Sequence, residues 1–300
     1  MFEFSKLKKY YEKYDRRVIA LSILSFVFSI IFLVATFYYF FLKKKNSFSP
    51  LTYNHIKEII VIYKKINKVS DIVPIQCESV TPIVYTKVIS LDNLPVKEKK
   101  KKFIDIVLPS ILIAEFEIKQ ERDFIERIKN KIANGEKLTL SEEKFLSKTL
   151  EKYKAQDISE LLRKINIHPV SIVLAQAAIE SGWGSSRFFV KGNNIFGAWT
   201  WNKKTRNKIA AKGNKKVYLR KFNNILESVE DYFYSLNVSW AYRQFRLVRL
   251  KTNDPLLISK HLDKYSILRK RYVEKLQRVI KENQLQKYDN CKINPDYIIN

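Results

Sequence analysis

From Val18 to Leu42 the chain carries no charged residue, and this apolar run, VIALSILSFVFSIIFLVATFYYFFL, is long enough to cross a bilayer. Its end, Tyr38-Tyr39-Phe40-Phe41, is unlike the small-residue site that follows a cleaved signal peptide, so the run predicts an uncleaved anchor. Lys6, Lys8, Lys9, Lys13, Arg16 and Arg17 precede it, and only the Lys43 to Lys45 cluster follows closely. That bias predicts a cytoplasmic tail over 1–17, a single-pass anchor over 18–42 in the cytoplasmic membrane, and a remainder that is extracytoplasmic.

After the anchor the pattern changes twice. Residues 43–102 mix β-branched runs with Pro50, Pro74, Pro82 and Pro95 and end in KEKKKK, which predicts a stalk or linker of unassigned fold. From Phe103 apolar residues recur at helical spacing through Ile128. Asn134-Gly135 stops that helix, Ser141 is placed to cap the next, and Ile158 to Lys164 forms a third, giving a helical lead-in over 103–164. His168-Pro169 is an extended lead-in, and Ser171 is placed to cap the helix IVLAQAAIES. The alternating VYLRKF after Gly213-Asn214 predicts a small β-lobe between Ala198 and Phe222, before helical spacing returns at Asn224 and again in RYVEKLQRVIKENQL. The expectation is a mostly helical α+β domain over 165–290, split by a small sheet, with a C-terminal tail over 291–300.

Composition narrows the function classes. Fifty-six Lys and Arg against 30 Asp and Glu give a formal charge of +26, which fits either attraction to a polyanion or a lysine-rich solvated surface. The charge is scattered, with no basic stripe interleaved with aromatics, so nucleic acid is not an expected partner. Cys77 and Cys291 are too few for a disulfide-stapled fold or a cysteine-rich zinc site, although they could form one bond outside the cytosol. His55, His168 and His261 have no metal-ligand spacing, and no metal or cofactor is assigned.

The candidate chemistry begins at Glu180, at the end of an alanine-rich apolar helix and followed at once by Ser181-Gly182-Trp183-Gly184. The negative end of the helix dipole and a nearby indole both disfavour an ionised carboxylate, and a raised pKa lets a general acid keep its proton near neutral pH. Asn193-Asn194-Ile195-Phe196-Gly197 follows, two amides beside an aromatic, a donor and acceptor set suited to hydroxyl- and acetamido-rich sugars. Trp199 and Trp201 are candidates either for stacking on sugar faces or for plugging a small core.

ESGWG followed by NNIFG resembles the glucosaminidase branch of the lysozyme superfamily, glycoside hydrolase family 73, and within it the membrane-associated Bax-type proteins of bacteria. The likeness runs from about Phe103 to Tyr288. It implies a lysozyme-like fold, hydrolysis of the β-1,4 bond after N-acetylglucosamine in peptidoglycan glycan strands and, through the Bax-type likeness, an inner-membrane protein with its catalytic domain on the periplasmic face. Glu180 corresponds to the family's general acid. Asn193, Asn194 and Phe196 correspond to its cleft-wall motif, with Trp199 beside them as a further substrate contact. Tyr265 corresponds to a tyrosine held near the reacting sugar.

The chain departs from that pattern at one point: between Ser181 and Leu226 there is no Asp or Glu, where many relatives carry a second acid. Either Glu227, Glu230 or Asp231 activates water, or the substrate's 2-acetamido oxygen acts as internal nucleophile, with Tyr265 positioning it. The alternatives are a binding scaffold without turnover, and a muramidase or lytic transglycosylase with a lone acid.

Overall fold

The helical spacing that begins at Phe103 belongs to one long helix in the computed structural model, which describes residues 57–200, 208–211 and 214–299. This helix, α1 (Val96–Ala133), is buried at every position from Phe103 to Glu115, Asp105, Ser110 and Glu115 included, so it runs through the core there. It starts earlier than the apolar pattern, because the lysine run at 97–102 forms its first turns. Pro109 lies inside it and removes one backbone donor from the ladder.

Two short helices follow. Thr139, and not Ser141, caps α2 (Leu140–Tyr153): its hydroxyl accepts from the Glu142 amide while the Glu142 carboxylate accepts from the Thr139 amide at 2.8 Å. Asp157 caps α3 (Ile158–Lys164). Helix α4 (Val170–Ser181) is almost wholly buried and follows Pro169 at the cap position. Ser171, expected to be the cap, lies inside the helix, and its amide and hydroxyl both donate to Asp289, at 2.6 and 2.9 Å. The first-turn donor therefore finds its acceptor near the far end of the chain.

After α5 (Arg187–Gly192) comes the small sheet, in antiparallel order β4-β6-β5, built from β4 (Trp199–Thr200), β5 (Lys208–Ala211) and β6 (Asn214–Arg220). It is preceded in sequence by β1 (Glu58–Ile59), β2 (Ile62–Lys65) and β3 (Ile83–Lys87). Helices α6 (Ile225–Val238), α7 (Arg243–Val248), α8 (Pro255–Ser259) and α9 (Lys270–Glu282) complete the helical part, with a 3-10 segment over Lys260–Tyr265.

The stalk expected over 43–102 gives way, over the described residues from 57 onward, to an integral part of the same unit, Asn54–Asn300. Strand β2 pairs in parallel with β3, and Ile66, Ile72, Val84, Tyr85, Val88 and Leu91 are buried. The expected C-terminal tail is likewise folded in. Strand β7 (Ile298–Ile299) pairs antiparallel with β1, Val80 bridges Ile293, and a disulfide joins Cys77 to Cys291. Proline-punctuated, short-strand sequence reads as linker because β1, Cys77 and Val80 find their partners more than two hundred residues away. The anchor expected over 18–42 falls outside the described residues, and among those described no helix is long and apolar enough to cross a membrane.

Candidate active site

Glu180 sits on the last turn of α4, half-buried, just before the chain reverses. The reversal is made by three successive residues with positive φ: Gly182 at 61°, Trp183 at 58° and Gly184 at 82°. Glycine adopts that region freely, whereas for a bulky residue it is strained. Trp183 is held there by packing, its ring edge-on to Phe103 of α1 at 5.6 Å and Lys100 Nζ 5.2 Å from its centroid. The Ser181 hydroxyl closes the helix end, donating to the Ala177 carbonyl at 2.7 Å and accepting from the Gly184 amide at 3.2 Å.

Burial pushes the Glu180 carboxyl above its ordinary pKa, against the opposing pull of the Tyr272 phenol on α9 and the charge of Lys275. The direction matches expectation, but burial leads, and the indole of Trp183 turns to α1. Across from the acid lies Gly197, at φ 65°, where an added Cβ would stand 3.9 Å from Glu180 Oε2. A side chain there would narrow the space over that oxygen.

Tyr265 joins this group through Tyr272: the two rings stack at 5.4 Å with an interplanar angle of 19°. Burial, followed by the charges of Tyr272 and Glu180, raises the Tyr265 pKa well above the ordinary phenol, so its hydroxyl stays protonated. Asp231 also acts on it through charge.

The NNIFG residues play a different part from the one expected. The Asn193 amide nitrogen donates to the carbonyls of Thr86 and Phe222, each at 3.1 Å. The Asn194 amide nitrogen donates to Ala198 and Arg220 carbonyls, and its oxygen accepts from the Ala198 amide, all at 2.9 Å. Both side chains are buried and their donors are engaged with backbone, so they pin the β-lobe to the helical part and have no donor left for a sugar. Phe196 is buried too, stacked on Tyr232 at 4.1 Å. Of the four expected substrate contacts, Trp199 stands out by presenting itself to solvent, 55% exposed on the edge strand β4.

The three candidate second carboxylates also have partners. Glu227 accepts from the amide and side chain of Asn223, both at 2.8 Å, at the start of α6. Asp231 is ion-paired with Arg220. Glu230 acts on Glu117 of α1, which is pushed up to about 7 by burial first and by Glu230 next. All three line a separate cavity of about 850 Å³ between α1, α2 and α6, whose wall does not include Glu180, Tyr265 or Tyr272. Among the described residues no group of three His, Cys, Asp or Glu is placed to hold a metal ion.

Sequence reasoning missed the residues behind the acid. Tyr272 receives a hydrogen bond from Gln176 Nε2 at 3.0 Å, and Tyr232 donates to Gln176 Oε1 at 2.7 Å. His168 Nε2 lies 2.9 Å from the Tyr232 hydroxyl. One signal was present: Gln176 is the single amide in an apolar helix, one turn before Glu180 on the same face. The partners on α6 and α9 carried no such mark.

Three likenesses to known proteins bear on this site. Residues 155–285 match the Glucosaminidase family model, described as mannosyl-glycoprotein endo-beta-N-acetylglucosaminidase. Protein bax of Escherichia coli (strain K12) is 30% identical over 155 residues, covering 50% of this chain and 55% of its own length, so the match spans about half of that curated relative. The catalytic domain of the autolysin Auto from Listeria monocytogenes is 21% identical, with a TM-score of 0.32 over 56% of this chain and 87% of that one, too loose a superposition to carry residue correspondences. Over residues 155–285 the chain is thus similar to the Glucosaminidase family.

Proposed function

We propose that the protein is a membrane-anchored peptidoglycan hydrolase that cleaves the β-1,4 bond after N-acetylglucosamine, with Glu180 as general acid. The observation that carries this reading is the setting of Glu180, a half-buried carboxyl raised by burial, held by Tyr272 and opposite the bare backbone of Gly197. An acid so placed holds its proton to a higher pH than a free carboxyl and has one face open to a substrate.

In the step we favour, Glu180 gives its proton to the glycosidic oxygen as the bond to the anomeric carbon breaks. The substrate's 2-acetamido oxygen bonds to that carbon in place of the leaving group. Water then opens the cyclic intermediate, its proton passing to the Glu180 carboxylate, which restores the acid. Tyr265 orients the acetamide. This route is supported by the engagement of Glu227, Glu230 and Asp231 elsewhere, which leaves none of them free beside Glu180. Trp199 offers a flat apolar face for a sugar ring on the β-lobe side.

Anchoring through 18–42, with the enzyme domain on the extracytoplasmic face, belongs to the same reading. It is supported by the basic residues before the run and by the Cys77–Cys291 bond, since disulfides persist in oxidising compartments.

Mass spectrometry of purified peptidoglycan digested with the full chain tests the proposal. New reducing N-acetylglucosamine ends are the expected product. Reducing muramic ends would make the protein a muramidase, 1,6-anhydro ends a lytic transglycosylase, and binding without release of fragments a scaffold; each of these overturns the reading.

A further inference from the structure

The hydrogen bonds behind Glu180 all run in one sense. Tyr232 has one hydroxyl hydrogen and donates it to Gln176 Oε1, so its oxygen is the acceptor in the contact with His168, which fixes the Nε2–H tautomer of that imidazole. His168 is neutral, since burial pushes its pKa well below the ordinary value, and its buried Nδ1 has no hydrogen-bond partner among the described residues. With Oε1 occupied, Gln176 must offer its amide nitrogen to Tyr272. The Tyr272 oxygen therefore accepts, which leaves its single hydrogen for Glu180, the carboxyl this phenol acts on.

The opposite sense is barred at the far end. Turning Gln176 around would send the Tyr232 hydrogen to His168 Nε2 and put a hydrogen on Nδ1, leaving an orphaned buried donor, which is rarer in proteins than an orphaned acceptor. In that reversed state Tyr272 would donate to Gln176, and Glu180 would lose its donor.

Resting on Glu180 as the acid, we propose that His168, Tyr232 and Gln176 are positioning residues: they hold Tyr272 as a fixed donor to one carboxyl oxygen, so that the acid proton resides on the other oxygen, toward the substrate. Phe196 stacked on Tyr232 keeps the middle of the chain in place. The charged and titratable groups that face Glu180 are Tyr272 and Lys275 from α9 and Tyr265 from the 3-10 segment, with Asp231 of α6 acting on Tyr265.

The test is the pH dependence of kcat and KM for the full chain, for Tyr272→Phe, for Tyr232→Phe and for the double variant, all checked for folding by near-UV circular dichroism. Each single variant loses kcat by on the order of tenfold, one hydrogen bond's worth, with KM within about twofold. In each, the alkaline limb of the profile moves up by about one pH unit, because the ionised carboxylate has lost a donor. The double variant matches the single ones, since both act through the same bond on Glu180. If Tyr232→Phe does not fold, Gln176→Leu breaks the same link, with the same expected shift. An unmoved limb in Tyr232→Phe or Gln176→Leu, or shifts that add in the double variant, overturns the proposal. If the wild-type chain releases no fragments, the functional reading fails, and the relay is then tested by carbon-13 titration of the Glu180 carboxyl in the same variants. There, an upward shift supports the relay and an unchanged titration overturns it.

Discussion

Tyr272 accepts a hydrogen bond from Gln176 at 3.0 Å, and the same phenol acts on the Glu180 carboxyl one turn further along α4. Burial and this phenol act on the acid in opposite directions, with burial the larger. The balance leaves a carboxyl that is raised yet oriented. A carboxyl raised by burial alone would have no reason to point anywhere.

The Asn194 side chain makes three hydrogen bonds to the backbone that links α5 to the small sheet. Asn194→Ala is expected to destabilise the protein by about 2–4 kcal/mol, since buried backbone partners are left unpaired. Denaturant unfolding measures this. A loss of under about 0.5 kcal/mol would return Asn194 to the role of sugar contact.

Trp199 makes the opposite case, because it is largely exposed at a sheet edge. Trp199→Ala should leave stability within about 0.5 kcal/mol while weakening co-sedimentation with purified sacculi several-fold. Unchanged sedimentation would assign the indole no part in binding.

The Cys77–Cys291 bond spans a sequence separation of 214 residues and ties the segment before α1 to the C-terminus. The double replacement Cys77→Ser, Cys291→Ser is expected to lower stability by about 2–5 kcal/mol, by releasing the unfolded chain from a long closed loop. Thermal melts of oxidised and replaced protein, run with the same buffer, give the difference directly.

Much of this was legible from residues alone. Helix α4, the turn after Glu180 and the β-lobe follow from an apolar run, a pair of glycines and an alternating strand. What could not be read is which partner each polar group takes. Asn193 and Asn194 carry sugar-binding chemistry in sequence, but carbonyls of Thr86, Ala198, Arg220 and Phe222 take up their donors, and those contacts are set by the packing of the lobe on the helices. Ser171 fits the cap position by local rule, yet Asp289 is 118 residues away and draws it into the helix. The segment from residue 57 reads as linker for the same reason, since its pairing partners are β7 and Ile293.

Glu115 is buried in α1, and burial pushes its carboxyl up to about 8, with Lys119 on its own helix opposing and Asp289 adding to the shift. Its folded pKa lies above the unfolded value, so the folded state holds one more proton between about pH 4.5 and 8 and loses stability as pH rises through that window. Below the window this group contributes no penalty, and above it the penalty is complete. Glu115→Gln should flatten that part of the stability profile measured by denaturant unfolding at pH 5 and pH 8. A slope equal to that of the parent would show that Glu115 titrates normally.

The most direct test of the central claim is the release of soluble fragments from purified peptidoglycan by the Glu180→Gln variant, with folding verified by its melting temperature. The account predicts a folded protein whose turnover falls by at least about a thousandfold, since the amide has no proton to give the glycosidic oxygen. Turnover within a few-fold of the parent in a folded Glu180→Gln protein would contradict it.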